Sequence, residues 1–218
     1  MITTAEILAF DGDTLLIRPT VPVDREMLQK QVDMIEIRLT DGREISAEQR
    51  RKIFALIRDI AVWSGHEPEY IRMYTTFEYQ LTYGIEPFSL SDCDMSTARD
   101  YISYLIDFCF THCVPTKDTL LNRTDDIGKY LYTCLEHRKC AVCNARADIH
   151  HVDAVGRGRN RNTILHIGLE ALPLCRIHHN EAHAMGDKSF CEKHHIYGIK
   201  LDKYLCEKLN LRKDSKNE

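Results

Sequence analysis

Between Cys140 and His183 the chain reads CAVCNARADIHHVDAVGRGRNRNTILHIGLEALPLCRIHHNEAH, and two sets of metal-capable side chains interleave there. The first is Cys140-x2-Cys143 with Cys175-x2-His178. A two-residue gap lets two side chains bite one ion from a tight turn. Two such knuckles complete a tetrahedron, and three thiolates with one imidazole make a closed structural Zn²⁺ site. Unliganded core cysteines would leave unexplained why the ligand spacing occurs twice. The second set is His150–His151 with His179-x3-His183, the composition of an open metal site with a spare base.

The distribution of these residue types supports the same reading. Nine of the eleven histidines fall between His137 and His195, and four of the nine cysteines between Cys134 and Cys175. Cysteines bunched with histidines read as metal ligands before disulfides. Net charge is −4, but unevenly spread: residues 1–116 carry 11 Lys+Arg against 19 Asp+Glu, and residues 117–218 carry 18 against 14. The half that holds the histidines is the basic half, which favours a polyanionic ligand. No apolar run is long enough to span a bilayer and no signal peptide is evident, so the expected location is cytoplasmic.

The elements that must position these residues follow from local pattern. The 31 residues between Cys143 and Cys175 are too many for a simple ribbon and read as a hairpin, with strands at Asp148–Val152 and near Ile164–Leu169. The run Gly156-Arg157-Gly158-Arg159-Asn160-Arg161-Asn162 makes its tip. After Cys175 a helix would bring His179 and His183, at i and i+4, to one face. Neighbouring strand residues point to opposite sides, so His150 and His151 both reach one site only at a strand end or distortion.

Upstream, the Asp11-Gly12 turn joins Ile7–Phe10 to Thr14–Ile17 as a hairpin. Alternation at Ile35, Ile37 and Leu39 reads as a strand ended by Asp41-Gly42. Ser46-x-x-Gln49 is a capping box for a helix burying Ile53, Leu56, Ile57 and Ile60. Pro68 opens a second helix with Tyr70, Tyr74, Phe77 and Leu81 as its inward stripe. Ser96 caps a third, with Ala98, Ile102, Leu105, Ile106, Cys109 and Cys113 inward. A further amphipathic helix, with Ile127, Tyr130, Leu131 and Cys134, leads into the first knuckle. The expected class is α+β: an N-terminal mixed domain over 1–115 with a small antiparallel sheet and about three helices, and a zinc-stabilised domain over 116–218. Cys109, His112 and Cys113 have ligand-like spacing but read as core, as do cysteines on a buried helical face generally. Cys191-x2-His194 lacks a matching second pair.

The central 45 residues resemble the HNH nucleases, whose core is the ββα-metal fold: a knuckle, a strand ending in His-His or Asp-His, then a second knuckle that opens a ligand-bearing helix. Position by position, the resemblance implies His150, His179 and His183 as ligands of a catalytic divalent metal (Mn²⁺, Ni²⁺, Co²⁺, Zn²⁺ or Mg²⁺). It implies His151 as general base, and Cys140, Cys143, Cys175 and His178 as the structural zinc set. The chain departs from the pattern at one place: the family's middle Asn falls on Glu170, and Glu170, His166 or Asn162 are the candidates to replace it. Ile45–Gln49 and Phe88–Ser91 resemble, less specifically, the phage lambda Orf family of recombination mediators. That similarity implies a phage or prophage protein acting in the bacterial cytoplasm in recombination or replication, as a homodimer with single-strand-binding protein.

The reaction so implied is hydrolysis of DNA phosphodiesters by a metal-dependent endonuclease. Arg157, Arg159 and Arg161 would contact phosphates, which position a nucleic acid without reading its sequence. The alternative is a non-catalytic, zinc-stabilised DNA-binding mediator. The intact quartet of His150, His151, His179 and His183 favours the enzyme.

Overall fold

The first described element is a hairpin in which β1 (Ala5–Asp11) runs antiparallel to β2 (Thr14–Pro19). Asp11 pairs with Thr14 around Gly12, whose φ of 54° is the left-handed value a tight hairpin turn needs. The computed structural model describes residues 5–20, 22, 43–152 and 165–211. The strand expected at Ile35–Leu39 and its Asp41-Gly42 turn lie outside them.

Three helices follow: α1 (Ala47–Ser64), α2 (Pro68–Tyr83) and α3 (Met95–Thr111). The capping box of α1 forms as its sequence specifies. The Gln49 amide N–H donates to Ser46 Oγ at 3.1 Å, and Ser46 N–H donates to Gln49 Oε1 at 3.0 Å. Ile53, Leu56, Ile57 and Ile60 are buried as expected.

Three expectations for α2 and α3 are corrected. In α2 the stripe of Tyr70, Tyr74, Phe77 and Leu81 faces outward, with Phe77 60% and Leu81 68% exposed. The buried face carries Ile71, Thr75, Thr76 and Tyr79. Thr75 Oγ1 lies 2.7 Å from the hydroxyl of buried Tyr101 on α3, and the Tyr79 ring packs 5.3 Å from those of Tyr101 and Tyr104. A buried phenol needs a hydrogen-bond partner, and only this face of α2 supplies one to Tyr101. In α3 the N-cap is Asp94 rather than Ser96. Its Oδ1 accepts from the N–H groups of Ser96 and Thr97, both at 2.9 Å. Cys109 is buried as expected, but Cys113 is exposed beyond the helix end with φ 54°.

Short α4 (Leu120–Arg123) and α5 (Ile127–Glu136) lead to the metal-bearing part. There β3 (Asp148–His151), β4 (Glu170–Leu174) and β5 (Ile199–Lys200) form an antiparallel sheet in the order β3-β4-β5. The helices are α6 (Arg176–Met185), α7 (Asp187–His194) and α8 (Lys203–Lys208). The hairpin's second strand therefore starts after the stretch expected near 164–169. Gly168, at φ 82°, breaks the extended run before it, and buried Ala171 and Leu172 are the residues that pair with His151 and His150.

Eight helices and two small antiparallel sheets among the described residues make the mixed α/β architecture expected. One buried cluster runs from Ile45 through α1, α3 and α5 to Cys140, Leu172, Phe190 and Ile196. Polar ties cross the same seam: Gln49 Nε2 donates to Asp125 at 2.8 Å, and Lys52 Nζ pairs with Asp125 at 3.1 Å.

Candidate metal centre

The first knuckle is built by backbone before any metal enters. Cys140 N–H donates to Ala145 O at 2.7 Å and Asn144 N–H donates to Cys140 O at 2.9 Å, with Asn144 itself left-handed at φ 61°. Asparagine tolerates that conformation better than most residues. Its side chain also works, accepting from Leu120 N–H and donating to Tyr130 Oη, both at 2.7 Å. Ala141 N–H donates to Pro173 O at 2.9 Å, so the knuckle is tied to β4. The second knuckle is the junction of β4 and α6, where Cys175 is the helix N-cap and His178 lies in the first turn.

Cys140, Cys143, Cys175 and His178 converge, their ligand atoms all within 4.8 Å of one another. The Cys143–Cys175 sulfurs are 3.7 Å apart, and His178 Nδ1 is 3.4 Å from Cys140 Sγ and 3.2 Å from Cys175 Sγ. Tetrahedral zinc with ordinary bond lengths has edges of about 3.8 Å between sulfurs and about 3.6 Å between sulfur and nitrogen. The four residues fit that ion closely. Burial pushes the Cys175 thiol up, but the His178 backbone N–H and the neighbouring Cys143 and Cys140 thiols outweigh it. The Cys175 pKa is held below the ordinary value, as suits a thiolate at a helix N-terminus.

The second centre joins β3 to α6. His150, His179 and His183 bring their ligand atoms within 4.8 Å of one another, with ring centroids 4.6–5.0 Å apart. The i, i+4 spacing on α6 puts two of the rings on one face, and strand alternation turns His150 inward to 3% exposure. Burial, then the neighbouring imidazoles of His150 and His183, holds the His179 pKa below its usual value. A neutral imidazole is the form that binds a metal. Three imidazoles suit a divalent transition metal.

His151, the next residue on β3, falls outside that trio. Its ring lies 5.2 Å from the ring of His166, which is buried at 8% exposure. Of the three candidates for the missing Asn, His166 is the one beside His151. Glu170 lies against Gly198 and Val152 at the β5 side of the sheet, and Asn162 lies outside the described residues. So do Arg157, Arg159 and Arg161.

Sequence reasoning missed one residue of this centre. Asp187, the first residue of α7, places Oδ1 2.8 Å from His150 Nε2. The only signal was the Gly186-Asp187 pair after the helix, which reads locally as a turn. A third grouping, Asp107, Glu136 and His137, is already satisfied internally: His137 Nε2 meets Asp107 at 2.7 Å and Lys208 Nζ meets Glu136 at 2.7 Å. Neither Cys109–Cys113 nor Cys191–His195 joins a metal-capable cluster among the described residues. The His194 ring instead packs on Phe190 at 4.6 Å.

A family model described as "Putative HNHc nuclease" matches residues 20–212, spanning both the helical and the metal-bearing parts. No curated protein and no solved structure matches the chain.

Proposed function

Because the chain belongs to the HNHc nuclease family, we propose that it is a metal-dependent DNA endonuclease whose reaction centre is the histidine group at the end of β3 and on α6. The observation that carries this reading is the convergence of His150, His179 and His183 beside a separate four-ligand set that fits zinc. One cluster is closed and holds structure. The other has three protein ligands, the number that catalytic metal sites use.

In this mechanism His150, His179 and His183 hold the catalytic cation, which when bound supplies Lewis acidity at the scissile phosphate. His151 accepts a proton from water, and the resulting hydroxide attacks phosphorus. The P–O3′ bond breaks, leaving a 5′-phosphate and a 3′ oxygen that takes up a proton from solvent. His166 braces the His151 ring in the role that Asn has in relatives of the usual pattern. Arg157, Arg159 and Arg161 contact flanking phosphates. The division into units at 1–115 and 116–218 assigns the chemistry to the second and substrate or partner delivery to the first. A setting in phage recombination, with single-strand-binding protein and a second copy as partners, rests on the N-terminal resemblance.

The test is nicking of supercoiled plasmid with Mn²⁺ or Mg²⁺ by the wild type and by His151→Ala, beside a gel-shift and a metal titration. Loss of a general base commonly costs about 10²–10⁴-fold in rate. His151→Ala should therefore lose cleavage while DNA and metal affinity stay within a few-fold of wild type. Equal cutting by His151→Ala removes it from the base role. A wild type that cuts no form of DNA with any divalent metal leaves the non-catalytic, zinc-stabilised mediator as the better reading.

A further inference from the structure

We infer that Asp187 is a positioning residue for the three-histidine centre, its carboxylate fixing His150 in the tautomer that turns Nδ1 toward the cation. The inference rests on the reading that these imidazoles hold a divalent metal. An ionised carboxylate only accepts hydrogen bonds, so the 2.8 Å contact places the imidazole proton on Nε2. The other ring nitrogen is then bare and able to ligate. The His150 side chain is 3% exposed and that of Asp187 34%, so the ring is shielded from water while the carboxylate that meets it at Nε2 keeps one edge in solvent.

Asp187 is not placed as a fourth ligand. The cluster whose ligand atoms all lie within 4.8 Å of one another contains His150, His179 and His183 without it. Asp187 Oδ1 meets His150 at Nε2, and its absence from that group means that it is farther than 4.8 Å from at least one of the other ligand atoms. This is the carboxylate–histidine–metal arrangement, in which the outer carboxylate orients the ring and raises its basicity as a ligand.

The fold gives Asp187 a fixed position from which to do this. Helices α6 and α7 are joined by Gly186 alone, with φ 86° and ψ 142°. Its N–H donates to Ala182 O at 2.9 Å and its carbonyl accepts from Phe190 N–H at 3.0 Å. Phe190 is fully buried and pins the next turn of α7. Asp187 thus leaves the elbow one residue after the left-handed glycine and four after the ligand His183. The helix that carries two of the ligands also sets the carboxylate that orients the third.

The experiment uses the full chain with its cysteine set loaded with zinc. Histidine is ¹⁵N-labelled, and Co²⁺ is titrated into the second centre and followed by visible absorption. In the wild type before Co²⁺, the His150 proton should sit on Nε2. Asp187→Ala should let the proton exchange between nitrogens and weaken Co²⁺ binding about 10–100-fold, the usual effect of removing such a partner. Asp187→Asn, whose amide oxygen can still accept, should keep the tautomer and lose less affinity. Zinc content of the cysteine set should be unchanged in both. If Asp187→Ala does not fold, Asp187→Asn still tests the charge. Wild-type Co²⁺ affinity in the folded variants would overturn the inference, as would a wild-type His150 protonated on Nδ1. Tight Co²⁺ binding that depends on Asp187 in a protein that never cuts DNA would sink the nuclease reading and leave this one standing.

Discussion

A divalent cation needs neutral imidazoles, and at His179 burial and the neighbouring rings favour that state. The ligand set also biases the choice of ion. Imidazole suits transition metals, whereas Mg²⁺ prefers oxygen ligands and its own water. Cleavage should therefore be faster with Mn²⁺, Ni²⁺ or Co²⁺ than with Mg²⁺ in matched titrations, and equal or faster cutting in Mg²⁺ would contradict the three-histidine assignment. His166 makes a second prediction at this scale. Its ring lies 5.2 Å from that of His151, the proposed base, and misplacing a reacting group by about 1 Å can cost about 10²-fold. His166→Ala should lower the single-turnover rate by up to about that factor with metal and DNA affinity unchanged. An unaffected rate would return the bracing role to Glu170 or Asn162. The two convergent groups were legible in the sequence because knuckles and i, i+4 pairs are local patterns. Asp187 and the His151–His166 pairing were not, because β3 meets α7 and the 165–169 segment only through tertiary folding.

Element boundaries show the same division between local and non-local information. The Ser46–Gln49 box is read directly because all its bonds lie within four residues. At the start of α3 the sequence pattern pointed to Ser96, whereas the geometry puts the cap two residues earlier, at Asp94. The face of α2 was not legible at all. That helix carries two stripes capable of packing, and the phenol of Tyr101 on a neighbouring helix selects one. Asp94 allows a stability test. Burial raises its carboxyl pKa, but the Thr97 hydroxyl and the Thr97 and Ser96 N–H groups outweigh this and hold it below the ordinary value. Removing an N-cap costs about 0.5–2 kcal/mol, so Asp94→Ala should lower stability by that amount in urea unfolding at neutral pH. A folded pKa below the unfolded one means the contribution is present above the unfolded value of about 4. It fades as pH falls through the lower folded value. The gap between Asp94→Ala and wild type should narrow in that acidic window, and a gap independent of pH would show that the carboxylate is not the stabilising form.

Across the whole molecule, the buried cluster is continuous from α1 to Phe190, yet its two ends are held by different means. The α1–α3 end rests on apolar packing and caps. The Cys140–His178 end has two short knuckles whose ligands a bound zinc would join, making metal-binding energy folding energy there. Chelating the zinc, or Cys175→Ser, should therefore raise amide hydrogen exchange in 138–152 and 165–194 while α1 and α3 stay protected. Uniform loss of protection would mean that the continuous core makes one cooperative unit. The ties between α1 and the segment before α5, Gln49 and Lys52 to Asp125, pair residues more than seventy positions apart in the chain and leave no local trace in the sequence.

The single-residue elbow at Gly186 limits how this part of the chain can change length. Every residue added to a helix turns the remainder of that helix by about 100° and advances it about 1.5 Å. His179, His183 and Asp187 share one rigid register with Cys175, so an insertion or deletion between 176 and 186 would rotate part of the set out of reach of His150 without altering any of those residues. Substitution at position 186 meets a different barrier, since the space around a Cβ there is open and only the backbone angle of 86° opposes it. Length in this stretch is therefore constrained more tightly than composition, and a variant that keeps every histidine and cysteine could still be inert through one misplaced residue.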